Sequence, residues 1–198
     1  MISSLIKPAV TRLITPVARL ALRVGITPNF VTWTGAVGVV VSSLYFYPRG
    51  DFFLGTALIF FFALSDLFDG TMARISRTGA SRWGDFLDST IDRITDSSIL
   101  IGLTIYLVGV KDGLASVVLV TLVAGMLVPY IRAKAEGYGI ACTGGIAGRP
   151  ERLMIAMSAI ALAGLGVPYV LAGGMWVLAI LGLVTVTQRM VIVKRAFK

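Results

Sequence analysis

Polar residues punctuate this chain at intervals too wide for a soluble domain. Apolar runs such as Val37–Tyr47, Phe52–Leu64, Ile99–Val110 and Leu114–Val128 are divided by short breaks rich in glycine and charge. Runs of this length and polarity read as membrane-spanning helices. The pattern predicts six of them, over 29–48, 52–76, 84–108, 113–135, 150–170 and 174–195. Pro28 suits the first turn of the first span. Arg49-Gly50-Asp51 and Lys111-Asp112-Gly113 read as tight turns. Gly164, Gly166 and Pro168 close the fifth span, and Gly173-Gly174 open the sixth.

The first 27 residues follow a different pattern. Lys7, Arg12, Arg19 and Arg23 are spread through an apolar stretch. A cleavable signal would keep its apolar stretch unbroken. The segment instead reads as an amphipathic helix lying in the bilayer interface, bent or interrupted at Pro8 and Pro16. The expected organisation is an interfacial segment over 1–27 and a six-helix domain over 28–198. The fold class is an all-α integral membrane protein.

Composition supports that class. The chain is 57% hydrophobic and 14% charged, against roughly a quarter charged in soluble domains. Sixteen of the 18 basic residues fall on one side of the predicted topology, and only Arg49 and Lys111 on the other. The positive-inside rule then puts both termini and the even-numbered connections in the cytoplasm, with the plasma membrane as the expected location. Membrane lipid accounts for the positive excess. No nucleic-acid module is present, so nucleic acid is not an expected partner. Cys142 is the only cysteine, which excludes an intrachain disulfide. It reads as an inert thiol. With no histidine, catalytic proton transfer must use a carboxylate, Lys, Tyr, the Cys or water.

Six of the ten acidic residues lie between positions 66 and 96. Asp66 and Asp69 share one face of the second span, near its cytoplasmic end. Asp85, Asp88, Asp92 and Asp96 form a stripe along the third. Carboxylates at membrane depth are costly and point to function. Like charges this close would not all stay ionised without a cation. Oxygen-only ligands select Mg²⁺ or Mn²⁺, and two such ions could share bridging carboxylates. The alternative is helix ion pairs, Asp96 with Arg93 and Asp85 with Arg82. It does not cover Asp66 and Asp69, whose flanks are apolar. Gly70, Ala73 and Gly84 leave room for a ligand, and Arg74 is placed to reach a phosphate. The picture is a metal-bound diphosphate in a cytoplasm-facing cavity within the membrane.

The series Asp66, Asp69-Gly70, Ala73-Arg74, Gly84, Asp88 and Asp92 resembles the signature of the CDP-alcohol phosphotransferases. There is one residue more between Arg74 and Gly84 than the family pattern has. The resemblance implies transfer of a phosphatidyl-type group from a CDP-linked lipid to an alcohol, with release of CMP. It assigns metal to Asp66, Asp69 and Asp88. Asp92 becomes the second-metal ligand and the base that takes the acceptor's proton. Gly70, Arg74 and Ser81 would contact the CDP group, with Ala80 competing for the place of Ser81. Pro28-Asn29-Phe30-Val31-Thr32 resembles the segment that closes over the cytidine. Homodimers are usual in the family.

The second half carries cations that a neutral acceptor would not need. Arg132, Lys134, Arg149 and Arg152, with Arg189 and Arg195, could surround a second anionic group, and of these Arg132, Lys134, Arg152 and Arg189 are the expected contacts to its phosphate. Glu136 and Glu151 could position these cations or form simple surface ion pairs. YIRAKAEGYG (130–139) and GRPERL (148–153) resemble the actinobacterial phosphatidylinositol phosphate synthases. That likeness implies CDP-diacylglycerol and 1D-myo-inositol 3-phosphate as the substrates. A phosphatidylglycerophosphate synthase remains the nearest alternative. A divalent-cation transporter is a different class, disfavoured because the acids cluster at one membrane face rather than at the midplane.

Overall fold

The computed structural model describes residues 14–75 and 82–197, and among these every regular element is helical. In order they are α1 (14–23), α2 (Pro28–Phe46), a 3₁₀ turn (Tyr47–Arg49), α3 (Phe52–Ala63), α4 (Ser65–Ile75), α5 (Arg82–Gly109), α6 (Leu114–Glu136), α7 (Arg149–Gly164) and α8 (Val170–Ala196). Helices thus occupy all six positions that the apolar pattern marks.

Four stretches have the length and composition to cross a membrane: Pro28–Arg49, Phe52–Met72, Leu114–Glu136 and Val170–Ala196. The other two helices depart for physical reasons. α5 has 28 residues, but its first 15 carry Arg82, Asp85, Asp88, Asp92, Arg93 and Asp96. α7 has only 16 residues, with Arg149, Glu151 and Arg152 in its first turn. At 1.5 Å per residue it reaches about 24 Å, short of a ~30 Å hydrocarbon core.

The chain divides into two compact units. The first holds the described residues up to Ser42 together with Ala57–Thr95. In it, Ile14 and Ala18 of α1 are buried against Met72 of α4, with Ala21, Leu22, Val31 and Phe68 around them. Val17, Leu20, Arg19 and Arg23 face outward. Pro16 lies within the helix and does not interrupt it; Pro8, Lys7 and Arg12 lie outside the described residues. The predicted second span is broken once, at Leu64, whose amide divides its bond between the carbonyls of Phe60 (3.2 Å) and Phe61 (3.3 Å). Ser65 then starts α4 against Gly35, filling space that a Cβ there would need.

The second unit comprises Ser43–Thr56 and Asp96 onward. Within it α8 packs against α6 and α7. Gly182 rests on Ala124, and Gly174 on Ala159. Small residues let helices approach in lipid, where contact must replace the hydrophobic drive. Gly102 of α5 lies under the Ser43 carbonyl, and the Ser43 hydroxyl donates to Ser98 Oγ at 2.9 Å. Tyr47 is fully buried, with its hydroxyl 2.8 Å from Thr56 Oγ1. These hydroxyls are paired with one another, as a low-dielectric surround requires, whereas Gln188 Oε1 on α8 is buried without a partner among the described residues.

Five helix ends close alike. After the last turn, two crossed amide-to-carbonyl bonds form around a left-handed residue, as in Ile26→Ala21 with Gly25→Leu22, and Val167→Leu162 with Gly166→Ala163. Gly25, Gly50, Gly139 and Gly166 take that position in four of them, and Lys111 (φ 58°) in the fifth. This motif satisfies the orphan carbonyls of a helix end. It ends α7 at Gly164, earlier than the 170 expected from the pattern. α8 correspondingly starts at Val170, so Gly173 and Gly174 lie inside its first turns.

Gly102→Ala tests the close approach to Ser43. The added Cβ would collide with a backbone carbonyl and should cost about 1–3 kcal/mol, read as a lower thermal midpoint in detergent. Gly109→Ala, where a Cβ meets nothing within 4 Å, should leave that midpoint unlowered.

Candidate active site

α2 begins with Thr27, whose Oγ1 accepts the Phe30 amide at 3.2 Å, followed by Pro28 in the first turn. This is N-capping with proline at the first helical position. It fixes the register of the next residues. Phe30 is exposed, Asn29 and Val31 are partly buried, and Thr32 is buried. Thr32 then donates its hydroxyl to Asp69 Oδ2 at 2.5 Å. Asp69 is only 7% exposed, so this donor compensates part of its desolvation. The sequence places Thr32 in a cytidine-covering segment; the structure also makes it the partner of a proposed metal ligand.

Asp66 lies three positions before Asp69 on α4, and Ala73 four after; their side chains are outside what the structure describes, as is Ser81 with its competitor Ala80. Beside Gly70 a Cβ would meet nothing within 4 Å, so the space above this residue is open. Arg74 is exposed and donates through Nη2 to Thr71 Oγ1 at 3.2 Å. One guanidinium edge is thus tethered while the group remains accessible.

On α5, Gly84 and Asp92 are partly buried, and Asp85 and Asp88 are exposed. Asp88 is the like-charge neighbour of Asp69. Asp92 Oδ2 lies 3.4 Å from Arg93 Nη2. Arg93 Nε is buried without a hydrogen-bond partner among the described residues. The helix ion pairs anticipated as the bland alternative are not the ones formed. Arg93 sits against Asp92, no Asp85–Arg82 pair appears among the described residues, and Asp96 is taken by Arg149.

Among the described residues no three acidic, His or Cys side chains converge as a metal-binding group. That search does not include the Asp66 side chain. The donor chemistry nevertheless fits a hard divalent cation. A buried carboxylate faces a second carboxylate, every donor is oxygen, and the bonds from the Thr32 hydroxyl and the Gly70 amide leave acceptor capacity on Asp69.

The second unit gathers the cations expected to meet a phosphate. Arg132 is exposed and paired through Nε with Glu136 at 2.8 Å, one turn on. Lys134 Nζ lies 5.3 Å from the Tyr138 ring centroid. Arg152 is partly buried and donates through Nη1 to the Ala147 carbonyl at 3.0 Å. Arg189 is buried, donating through Nε to Gly144 O at 2.9 Å and through Nη1 to Val128 O at 2.5 Å. The loop from 137 to 148 is therefore tied down by two guanidinium groups. Glu136 pairs with Arg132, with both side chains about half exposed, in the manner of a surface ion pair. Glu151 instead lies against Gly148.

Three features escaped the sequence. Arg189 acts on backbone carbonyls as well as being a candidate ligand. Asp96 pairs with Arg149 across 53 positions. Thr32 and Asp69 meet across 37. Each joins residues on different helices, and the signal available in sequence was only the presence of polar residues in apolar surroundings. Cys142 is fully buried beside Ile131 and Ala135, as an inert thiol should be.

The chain is 42% identical over 195 residues to the phosphatidylinositol phosphate synthase of Streptomyces avermitilis, covering 93% of this chain and 79% of that one. The crystal structure of the Mycobacterium tuberculosis phosphatidylinositol phosphate synthase with CDP-DAG bound superimposes with a TM-score of 0.87 at 38% identity, covering 92% of this chain and 94% of that one. The same enzyme in complex with manganese and citrate gives 0.85 at 38% identity, covering 91% and 88%. The family model for CDP-alcohol phosphatidyltransferases matches residues 25–188. A match that runs from the start of α2 well into α8 means that the chain belongs to the CDP-alcohol phosphatidyltransferase family.

Proposed function

We propose that this enzyme transfers the phosphatidyl group of CDP-diacylglycerol to 1D-myo-inositol 3-phosphate, releasing CMP and phosphatidylinositol phosphate. The observation that carries the reading is the family's acidic series set on α4 and α5, in a chain similar over almost its whole length to phosphatidylinositol phosphate synthases.

The acidic residues divide the work. Asp66, Asp69 and Asp88, with Asp92, would hold two divalent ions, Mg²⁺ or Mn²⁺; a solved relative is in complex with manganese. Such ions supply Lewis-acid polarisation of a diphosphate and neutralise charge on the departing group. Thr32 keeps one Asp69 oxygen oriented. Gly70 leaves room for the diphosphate, and the exposed Arg74 directs its free donors toward phosphate oxygens. Asn29, Phe30, Val31 and Thr32, with Ala73, Ser81 and Gly84, form the remaining contacts to the CDP-lipid. Asp92 takes the proton from the acceptor hydroxyl. The oxygen so freed attacks the phosphorus that carries the diacylglycerol, and the bond from that phosphorus to the CMP oxygen breaks.

Arg132, Lys134, Arg152 and Arg189 bind the acceptor's own phosphate. Their number and type suit an anionic alcohol better than a neutral one. The membrane arrangement that goes with this reading has six spans and an interfacial N-terminal segment in the plasma membrane. Both termini and the cavity face the cytoplasm, supported by the sixteen-to-two distribution of basic residues. The enzyme works as a homodimer, the usual state in its family.

Purified protein given CDP-diacylglycerol and one acceptor at a time should release CMP with inositol phosphate, and little with inositol, glycerol or glycerol 3-phosphate. CMP release with glycerol 3-phosphate alone would overturn the acceptor assignment. Asp92→Asn should keep CDP-lipid binding while turnover falls by about 10²–10⁴-fold, the span of a lost general base. Unchanged turnover in that variant would remove Asp92 from the role. Arg152→Ala should raise the KM for inositol phosphate by about tenfold with a smaller change for CDP-diacylglycerol; equal rises would place it elsewhere.

A further inference from the structure

Asp96 ends the acidic stripe of α5 and has no part in the chemistry above. Its two oxygens are both engaged by one residue. Arg149 Nε lies 3.1 Å from Oδ2, and Nη2 lies 3.1 Å from Oδ1. Such a fork-to-fork pair fixes the plane of the guanidinium as well as its distance. The side chains are 28% and 29% exposed, so water screens the pair only in part. It joins the middle of α5 to the first residue of α7.

That first residue needs an external hold. The residue before it, Gly148, is extended and supplies no side-chain cap, and Pro150 brings no amide. Beside the bond of the Arg152 amide to the Gly148 carbonyl (3.3 Å), the first turn of α7 is held by side chains. Arg149 reaches out to Asp96, and Arg152 reaches back to the Ala147 carbonyl. Arg152, one turn along, is also a proposed ligand of the acceptor's phosphate. The orientation of that ligand therefore depends on where Arg149 is anchored.

We propose that Asp96 is a positioning residue for the acceptor: through Arg149 it sets the first turn of α7 so that Arg152 meets the acceptor's phosphate. This rests on the assignment of Arg152 to that phosphate. The competing role for the pair has the opposite sign. Were Arg149 itself a phosphate ligand held back by Asp96, removing the carboxylate would free it and tighten acceptor binding.

The test is steady-state kinetics on the full chain in detergent with CDP-diacylglycerol, varying each substrate in turn. Asp96→Asn and Arg149→Lys should each raise the KM for inositol phosphate by about tenfold while that for CDP-diacylglycerol moves less than about twofold. The reversed pair, Asp96→Arg with Arg149→Asp, should recover much of the loss, since it restores the contact. A fall or no change in the inositol phosphate KM overturns the proposal. So does an equal rise in both KM values, or a reversed pair no better than the single variants. Arg149→Lys keeps the charge and loses only the fork, so it decides the matter should Asp96→Asn fail to fold. Arg152→Ala in the same series separates the two readings. If it leaves the inositol phosphate KM unchanged, the acceptor assignment itself fails, whatever Asp96 does.

Discussion

A carboxylate withdrawn from water must be given donors or a cation, and this molecule is arranged around that requirement. Asp69 meets it first, with a hydroxyl from another helix at 2.5 Å. The capped start of α2 brings Thr32 to the right height, and Gly35 lets α4 begin close to α2. The contact of α1 with Met72 packs against the same helix one turn further on. A hydroxyl and the Gly70 amide, both neutral donors, do not neutralise a charge that also faces Asp88. The remaining deficit is what makes the place suited to a divalent ion and a diphosphate.

The basic half obeys the same rule with the signs reversed. None of its four candidate phosphate ligands points idly at solvent. Arg132 has Glu136, Lys134 has an aromatic face, and Arg152 and Arg189 have carbonyls of the loop between α6 and α7. Carbonyls satisfy a guanidinium without cancelling its charge. Positive potential is thus kept where an anion can use it, and the loop acquires its shape from the same bonds.

What could be read from the sequence follows from what is local. The apolar runs place six helices. Gly50, the Lys111-Asp112-Gly113 turn and Gly166 mark three of the helix ends, while those at Gly25 and Gly139 were not foreseen. The likeness of the Asp66, Asp69, Asp88 and Asp92 series to a family signature points to the reaction class. The break at Leu64 and the early end of α7 were hidden, because a one-residue turn and a crossed-bond cap leave the hydrophobic pattern almost unchanged. Partner choice was hidden for another reason. Asp96 has Arg93 three positions away on its own helix, so a local pairing looked natural. The tertiary fold gives it Arg149, which meets both carboxylate oxygens with two donors, while Arg93 is turned to Asp92. Arg189 looked like a ligand from its charge alone, whereas its burial against Val128 and Gly144 is a property of how α8 packs.

On the proposed assignment of Arg152 and Arg189 to the acceptor's phosphate, their carbonyl bonds make recognition a competition. An anion entering beside them does not meet bare cations; it bargains with Ala147, Gly144 and Val128 for the same N–H groups. Where it draws on donors those carbonyls leave unused, the loop stays bound and contact is nearly free of rearrangement. Where it takes a hydrogen already committed, a backbone oxygen is stranded and affinity falls by what that oxygen loses. Selectivity then depends on which N–H directions the anion matches, so two acceptors of equal charge can differ widely in fit.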